Sequence, residues 1–179
     1  MMKRITDKSG VTLIELLVAM GLMSILLLVC AELSIDSVRM SDRIQTQAQA
    51  DSDVALAVER IRGMLNEARS WTLDSNGLGI TYYLPPKNTD GTFTTSSSAL
   101  EASSRRIYVS NGSIMCSDRT FPILNNVPVK DPLTGTTLIV FQKGLNSKQI
   151  KMRLVVQRNN LRGQVITSSI TTVIQPRNL

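Results

Sequence analysis

The chain has 179 residues, of which 42% are hydrophobic, 4% aromatic and none histidine. That length suits one ordinary domain, and without histidine a Ser-His-Asp triad, a Cys-His pair and any histidine zinc site are excluded. The net charge of +6 is uneven: residues 1–30 carry three bases and two acids, residues 31–100 six and nine, and residues 101–179 eleven and three.

The first ten residues are polar and basic, with Lys3, Arg4 and Lys8 against Asp7. An apolar run, VTLIELLVAMGLMSILLLVCA, follows at residues 11–31, and its last sixteen residues carry no charge. Twenty-one helical residues span roughly 31 Å, one hydrocarbon core. A basic flank before such a run is held on the cytoplasmic side, so the run predicts one membrane helix with its C-terminal end outside.

Glu15 interrupts this run. A carboxylate at the centre of a membrane helix costs about 2.5–3.5 kcal/mol, less near its end. The nearest bases, Lys8 and Arg4, lie well before it in sequence. Two readings stand: an interfacial carboxylate that snorkels, or a carboxylate held for a charge partner in an assembly.

Gly10-Val11-Thr12-Leu13-Ile14-Glu15, after a basic leader and before an apolar helix, resembles the processing motif of type IV prepilins and pseudopilins. The resemblance implies cleavage by a membrane prepilin peptidase between Gly10 and Val11, then N-methylation of Val11. It implies that Glu15 pairs with the N-terminal amine of a neighbouring subunit during assembly. A buried carboxylate is tolerable when an amine neutralises it and the pair is hydrogen-bonded. Val11 stands where the family usually has phenylalanine, and Glu32 where major pilins often have a helix-breaking proline. Two other processing routes compete. An ordinary secretory signal would be cut after Ala31, with Val29-Cys30-Ala31 as its small-residue site, although the apolar region is long and broken by Glu15. A lipoprotein signal would use Cys30, although Val29 precedes it. The plain reading of Cys30 is apolar packing.

The helical pattern continues beyond the apolar run. Val54, Val58, Ile61, Leu65 and Ala68 form one stripe of an amphipathic helix. Residues 45–53 (QTQAQADSD) are polar all round and expected to be exposed. The helix is expected to run to about Trp71. Strands follow at residues 77–84, 106–110, 113–117, 137–142, 149–157 and 164–174. Asn111-Gly112 signals a hairpin with a type I′ turn. That turn explains the Asn111-Gly112-Ser113 glycosylation pattern without a modification. Residues 88–104 read as a Ser/Thr-rich surface loop, and residues 159–163 as the last turn. The fold expected is α+β, a long helix packed on an antiparallel sheet. Its parts are a leader at residues 1–10, a membrane and polymerisation helix at 11–33, an amphipathic continuation at 34–72 and a β-rich head at 73–179. The closing Gln175-Pro176-Arg177-Asn178-Leu179 is faintly similar to the ends of minor pilins and J-type pseudopilins.

No metal-ligand cluster, phosphate loop or nucleophile elbow appears, so no cofactor, no metal and no enzymatic activity are expected. Cys30 and Cys116 offer no disulfide framework. Lys143, Lys148, Lys151, Arg153, Arg158 and Arg162 form a run with no acid among them. It reads as a solvated face, a dock for acidic neighbouring subunits, or a phosphate-contacting DNA surface. The partners implied by the resemblance are the prepilin peptidase, other pilin or pseudopilin subunits, the inner-membrane assembly platform and membrane lipid. DNA is a possible partner without support. The function expected is a minor pilin or pseudopilin held in the inner membrane with its head outside the cytoplasm, then moved into a filament. The alternative is a membrane-anchored or secreted β-domain that binds a ligand and never polymerises.

Overall fold

A computed structural model describes residues 12–88, 100, 101 and 103–177. It divides into two units, Met1–Asp42 and Arg43–Leu179. One helix, α1 (Leu13–Asn66), contributes to both. In the first unit its large apolar side chains are exposed, from Leu13 and Ile14 through Val29 to Met40. Two serine hydroxyls there are satisfied by the helix's own carbonyls. Ser24 Oγ donates to Met20 O and Ser34 Oγ to Cys30 O, each at 2.8 Å. A spanning helix needs that closure, because hydrocarbon offers no other partner.

In the second unit α1 buries Thr46, Ala50, Val54, Ala57, Val58, Ile61 and Leu65. The stripe therefore starts inside the segment expected to be exposed all round. Thr46 and Ala50 sit four residues apart, so they lie on one face of the helix and extend its buried stripe. The helix ends at Asn66, short of the expected Trp71. The chain turns there, with Arg69 N–H donating to Tyr83 O at 2.8 Å, and Ser70–Leu73 forms β1. Trp71 and Thr72 favour the pleated surface of a strand over a helix interior. Arg177 N–H caps the last helical residue at Asn66 O, 3.1 Å away.

β1 pairs antiparallel with β2 (Gly79–Tyr83), β2 with β3 (Arg105–Ser110) and β3 with β4 (Ser113–Cys116). Asn111 and Gly112 both have positive φ, 48° and 70°, as the type I′ turn requires. A second sheet holds β5 (Phe141–Lys143), β6 (Ile150–Asn159) and β7 (Val165–Ile174) in that order. The head thus has two sheets where one was expected. The junction explains the break. Val140 and Phe141 both donate to a single carbonyl, Gly77 O, at 3.0 and 2.9 Å, so no ladder forms there. Gly77 has φ +67°, and a Cβ would lie 2.6 Å from Ile139 Cγ2, so only glycine fits this approach. The strand expected at residues 137–142 is confined to β5, with Thr137 in an isolated bridge to Lys130. The Ser/Thr-rich loop lies mostly outside the described residues, at 89–99 and 102.

The helix stripe and the inner faces of both sheets close one hydrophobic core around Ile61, Leu65, Tyr82, Ile107, Phe141 and Leu154. Burial pushes the Tyr82 phenol far above its ordinary value, with the Cys116 thiol and Asp118 adding to the effect and Arg105 opposing it. Folding therefore favours the protonated phenol, and its ionisation at high pH is coupled to a loss of stability. This stability is fully present below the unfolded phenol's value of about 10 and is lost as pH rises beyond it. Urea unfolding of the chain in detergent is expected to show stability falling above pH ~10, by up to about 1.4 kcal/mol per pH unit. Tyr82→Phe is expected to flatten that slope.

Candidate functional site

Thr12 and Glu15 build the start of α1. Thr12 N–H and Thr12 Oγ both donate to Glu15 Oε2, each at 2.9 Å. Glu15 N–H approaches Thr12 Oγ at 3.4 Å. This is a capping box, with the hydroxyl at the N-cap and the carboxylate three residues on. It satisfies otherwise orphaned helix donors and sets a negative charge at the positive end of the helix dipole. The Thr-x-x-Glu spacing is written in the sequence, so Thr12 was findable there as the cap. Among the described residues Glu15 Oε1 takes no hydrogen bond, which leaves it open to a second donor. Gly10 and Val11, the expected cleavage and methylation positions, lie outside the described residues.

Beyond this cap α1 is long and apolar enough to cross a membrane, and none of that stretch is buried within the chain. A helix apolar on every side needs a lipid or protein surround. Cys30 is an exposed free thiol on it, and Glu32 is helical, so the helix runs unbroken past the position where major pilins often have proline.

An N-terminal segment, residues 5–31, matches the family model for the prokaryotic N-terminal methylation motif. The chain carries the type IV prepilin and pseudopilin signature. This prepilin signature covers the second half of the leader and the whole apolar run, while the head lies outside it. No curated protein and no solved structure matches the chain. The signature points to a structural subunit of the pilin or pseudopilin kind rather than an enzyme. It implies processing by a prepilin peptidase and assembly with other pilins. Signature and apolar helix together are consistent with inner-membrane anchoring.

The basic run of this prepilin-type chain is divided by the fold. Arg153 makes a two-pronged pair with buried Asp131, through Nη1 to Oδ2 and through Nη2 to Oδ1 at 3.1 Å. Arg158 pairs with Asp53 on α1, its Nε donating at 2.9 Å, and reaches Gln49 Oε1 at 3.4 Å. Lys148 is also engaged. Lys143, Lys151 and Arg162 are exposed. Lys151 and Arg153 share the outer face of β6, as the alternation predicts, and line a cleft of about 490 Å³ with Asp131 and Thr171. Among the described residues no group of His, Cys, Asp or Glu could hold a metal ion.

These two pairs differ in burial, and so should their replacements. The Asp131 carboxylate also accepts Leu133 N–H at 2.9 Å and so pins its own loop. Asp131→Ala should cost about 2 kcal/mol, less than a fully buried pair because Arg153 is partly exposed. Asp53→Ala should cost under about 1 kcal/mol, since both partners are roughly one-third exposed. Urea unfolding of the two variants side by side measures the difference.

Proposed function

We propose that the chain is a minor subunit of a type IV pilus or a type II secretion pseudopilus. It is made as a prepilin, cut between Gly10 and Val11, methylated at Val11 and held in the inner membrane with its head outside the cytoplasm. The assembly platform then moves it into the filament. The observation that carries this reading is a coincidence of place. The methylation motif at residues 5–31 runs onto the helix whose first turn holds Glu15 in a cap and whose apolar surface no described residue covers.

Glu15 Oε1 is the acceptor for the methylated amine of a neighbouring subunit. The cap uses Oε2, so the carboxylate meets both demands at once. Packing neighbouring helices side by side buries the exposed leucines, and the amine neutralises the one charge among them. The minor assignment is supported by the large polar head, by helical Glu32, and by the faint similarity of residues 175–179 to minor pilins. The paired arginines leave a small free basic surface, so a DNA role draws no support from the head.

Incorporation tests the reading. An epitope-tagged chain, expressed with the pilus or pseudopilus machinery of its source, should appear in sheared filaments only when the assembly ATPase is present. A tagged chain that stays in the membrane fraction under both conditions would favour an anchored domain that does not polymerise.

A further inference from the structure

β7 is an edge strand that lacks the usual protection. Among the described residues it is paired on one side only, by β6, over an unbroken register from Val165↔Asn159 to Ile174↔Ile150. Its sequence VITSSITTVI contains no charge and no proline, and the register contains no bulge. Native proteins guard long edges with such devices, because a bare edge templates further pairing.

The direction of its backbone groups follows from β6. Arg153 N–H bonds Val140 O at 2.8 Å and Gln157 N–H bonds Asn126 O at 2.9 Å, both away from β7. Backbone direction alternates along an antiparallel pair, so the even-numbered residues of both strands bond each other. The N–H and C=O groups of Val165, Thr167, Ser169, Thr171 and Val173 therefore point outward. No described residue bonds to them. Their side chains are exposed, whereas Ile166, Ser168 and Ile174 are buried. Only another extended backbone matches that repeat of donors and acceptors.

We infer that β7 receives an extended strand from a different neighbouring subunit of the filament, one carrying a carboxylate on its outer face. This rests on the subunit reading above. The carboxylate follows from charge. Lys151 stands opposite Val173 on the same outer face and has no partner among the described residues. The neighbouring cleft holds one acid, Asp131, already committed to Arg153. An added strand lies about 10 Å from β6, within joint reach of a lysine and a glutamate side chain.

A second copy's β7 is the wrong occupant. Asp53 meets Arg158, beside Ile166, and Arg62 meets Thr172 at 3.3 Å, so the helix runs along β7. Antiparallel self-pairing needs a two-fold axis perpendicular to the sheet, which would reverse one helix. Subunits of one polar filament share the direction of that helix in their heads, so two of them cannot adopt it.

The test uses the full chain in its own assembly. Ser169→Pro deletes an outward N–H and leaves the β6 ladder intact. Ser169→Lys adds the missing guard, and Lys151→Glu reverses the local charge. Each should lower filament incorporation about tenfold or more, with the thermal unfolding of the detergent-solubilised chain unchanged. Ser169→Ala should incorporate like wild type. Deuterium uptake in peptides spanning residues 165–174 should fall on assembly. If Ser169→Pro does not fold, Ser169→Lys decides. Wild-type incorporation by both Ser169 variants, unchanged exchange, or a Ser169→Cys homodimer disulfide in the membrane overturns the inference. Failure of the wild type itself to incorporate defeats the subunit reading as well, and so separates the two.

Discussion

Glu15→Gln is expected to abolish assembly while leaving the start of α1 and membrane insertion intact. Glutamine can serve the third position of a capping box, so the bonds to Thr12 N–H and Oγ survive. What it loses is the charge that, in the proposed assembly, neutralises the neighbouring amine. Leaving that amine buried and unpaired costs about 3–5 kcal/mol, on the order of a hundredfold or more in each subunit's incorporation. Insertion should not suffer, because removing a carboxylate from an apolar run lowers the transfer cost. Thr12→Ala makes the opposite cut. It weakens the cap by about 1 kcal/mol and keeps the charge, so incorporation should fall only slightly. Quantifying sheared filaments and carbonate-washed membranes for both variants separates capping from charge pairing. Equal losses in the two would assign Glu15 to the cap alone.

Ile61→Ala is expected to destabilise the head by about 3 kcal/mol. Ile61 is fully buried on the helix stripe between Val58 and Leu65, facing the core that both sheets share. Removing its outer carbons loses their transfer energy and leaves a cavity that two sheets cannot readily close. Leu56, on the same helix, is more than half exposed, and Leu56→Ala should stay within about 0.5 kcal/mol. Urea unfolding of the two variants measures how far the second half of α1 belongs to the head's core rather than to a stalk.

The parts of this protein that local chemistry determines were legible in its sequence. The apolar run, the leader motif, the Asn111-Gly112 turn and the two-faced β6 each rest on neighbouring residues. Thr12 is legible too, as the first residue of Thr-x-x-Glu, although the same residues also spell a processing motif. The missed features depend on distant partners. Arg158 looked free until folding brought Asp53, 105 residues away, beside it. Arg153 likewise meets Asp131 across a loop. The division into two sheets turns on one carbonyl at Gly77 receiving two donors, which no local pattern announces. β1 was hidden because the helical period ran on through Ala68 towards Trp71, while tertiary pairing with β2 claimed residues 70–73 for a strand.

Among the described residues the outer edge of β7 and Glu15 Oε1 take no hydrogen bond, and these are the two proposed assembly surfaces. The first offers backbone groups to a strand, the second a charge to an amine. Both depend on the chain being processed as a prepilin, which a single mass measurement decides. N-terminal peptides of the mature chain, isolated from cells with an active prepilin peptidase, should begin at Val11 and carry one added methyl group. A mature chain beginning at Glu32, or one still beginning at Met1, would contradict the account.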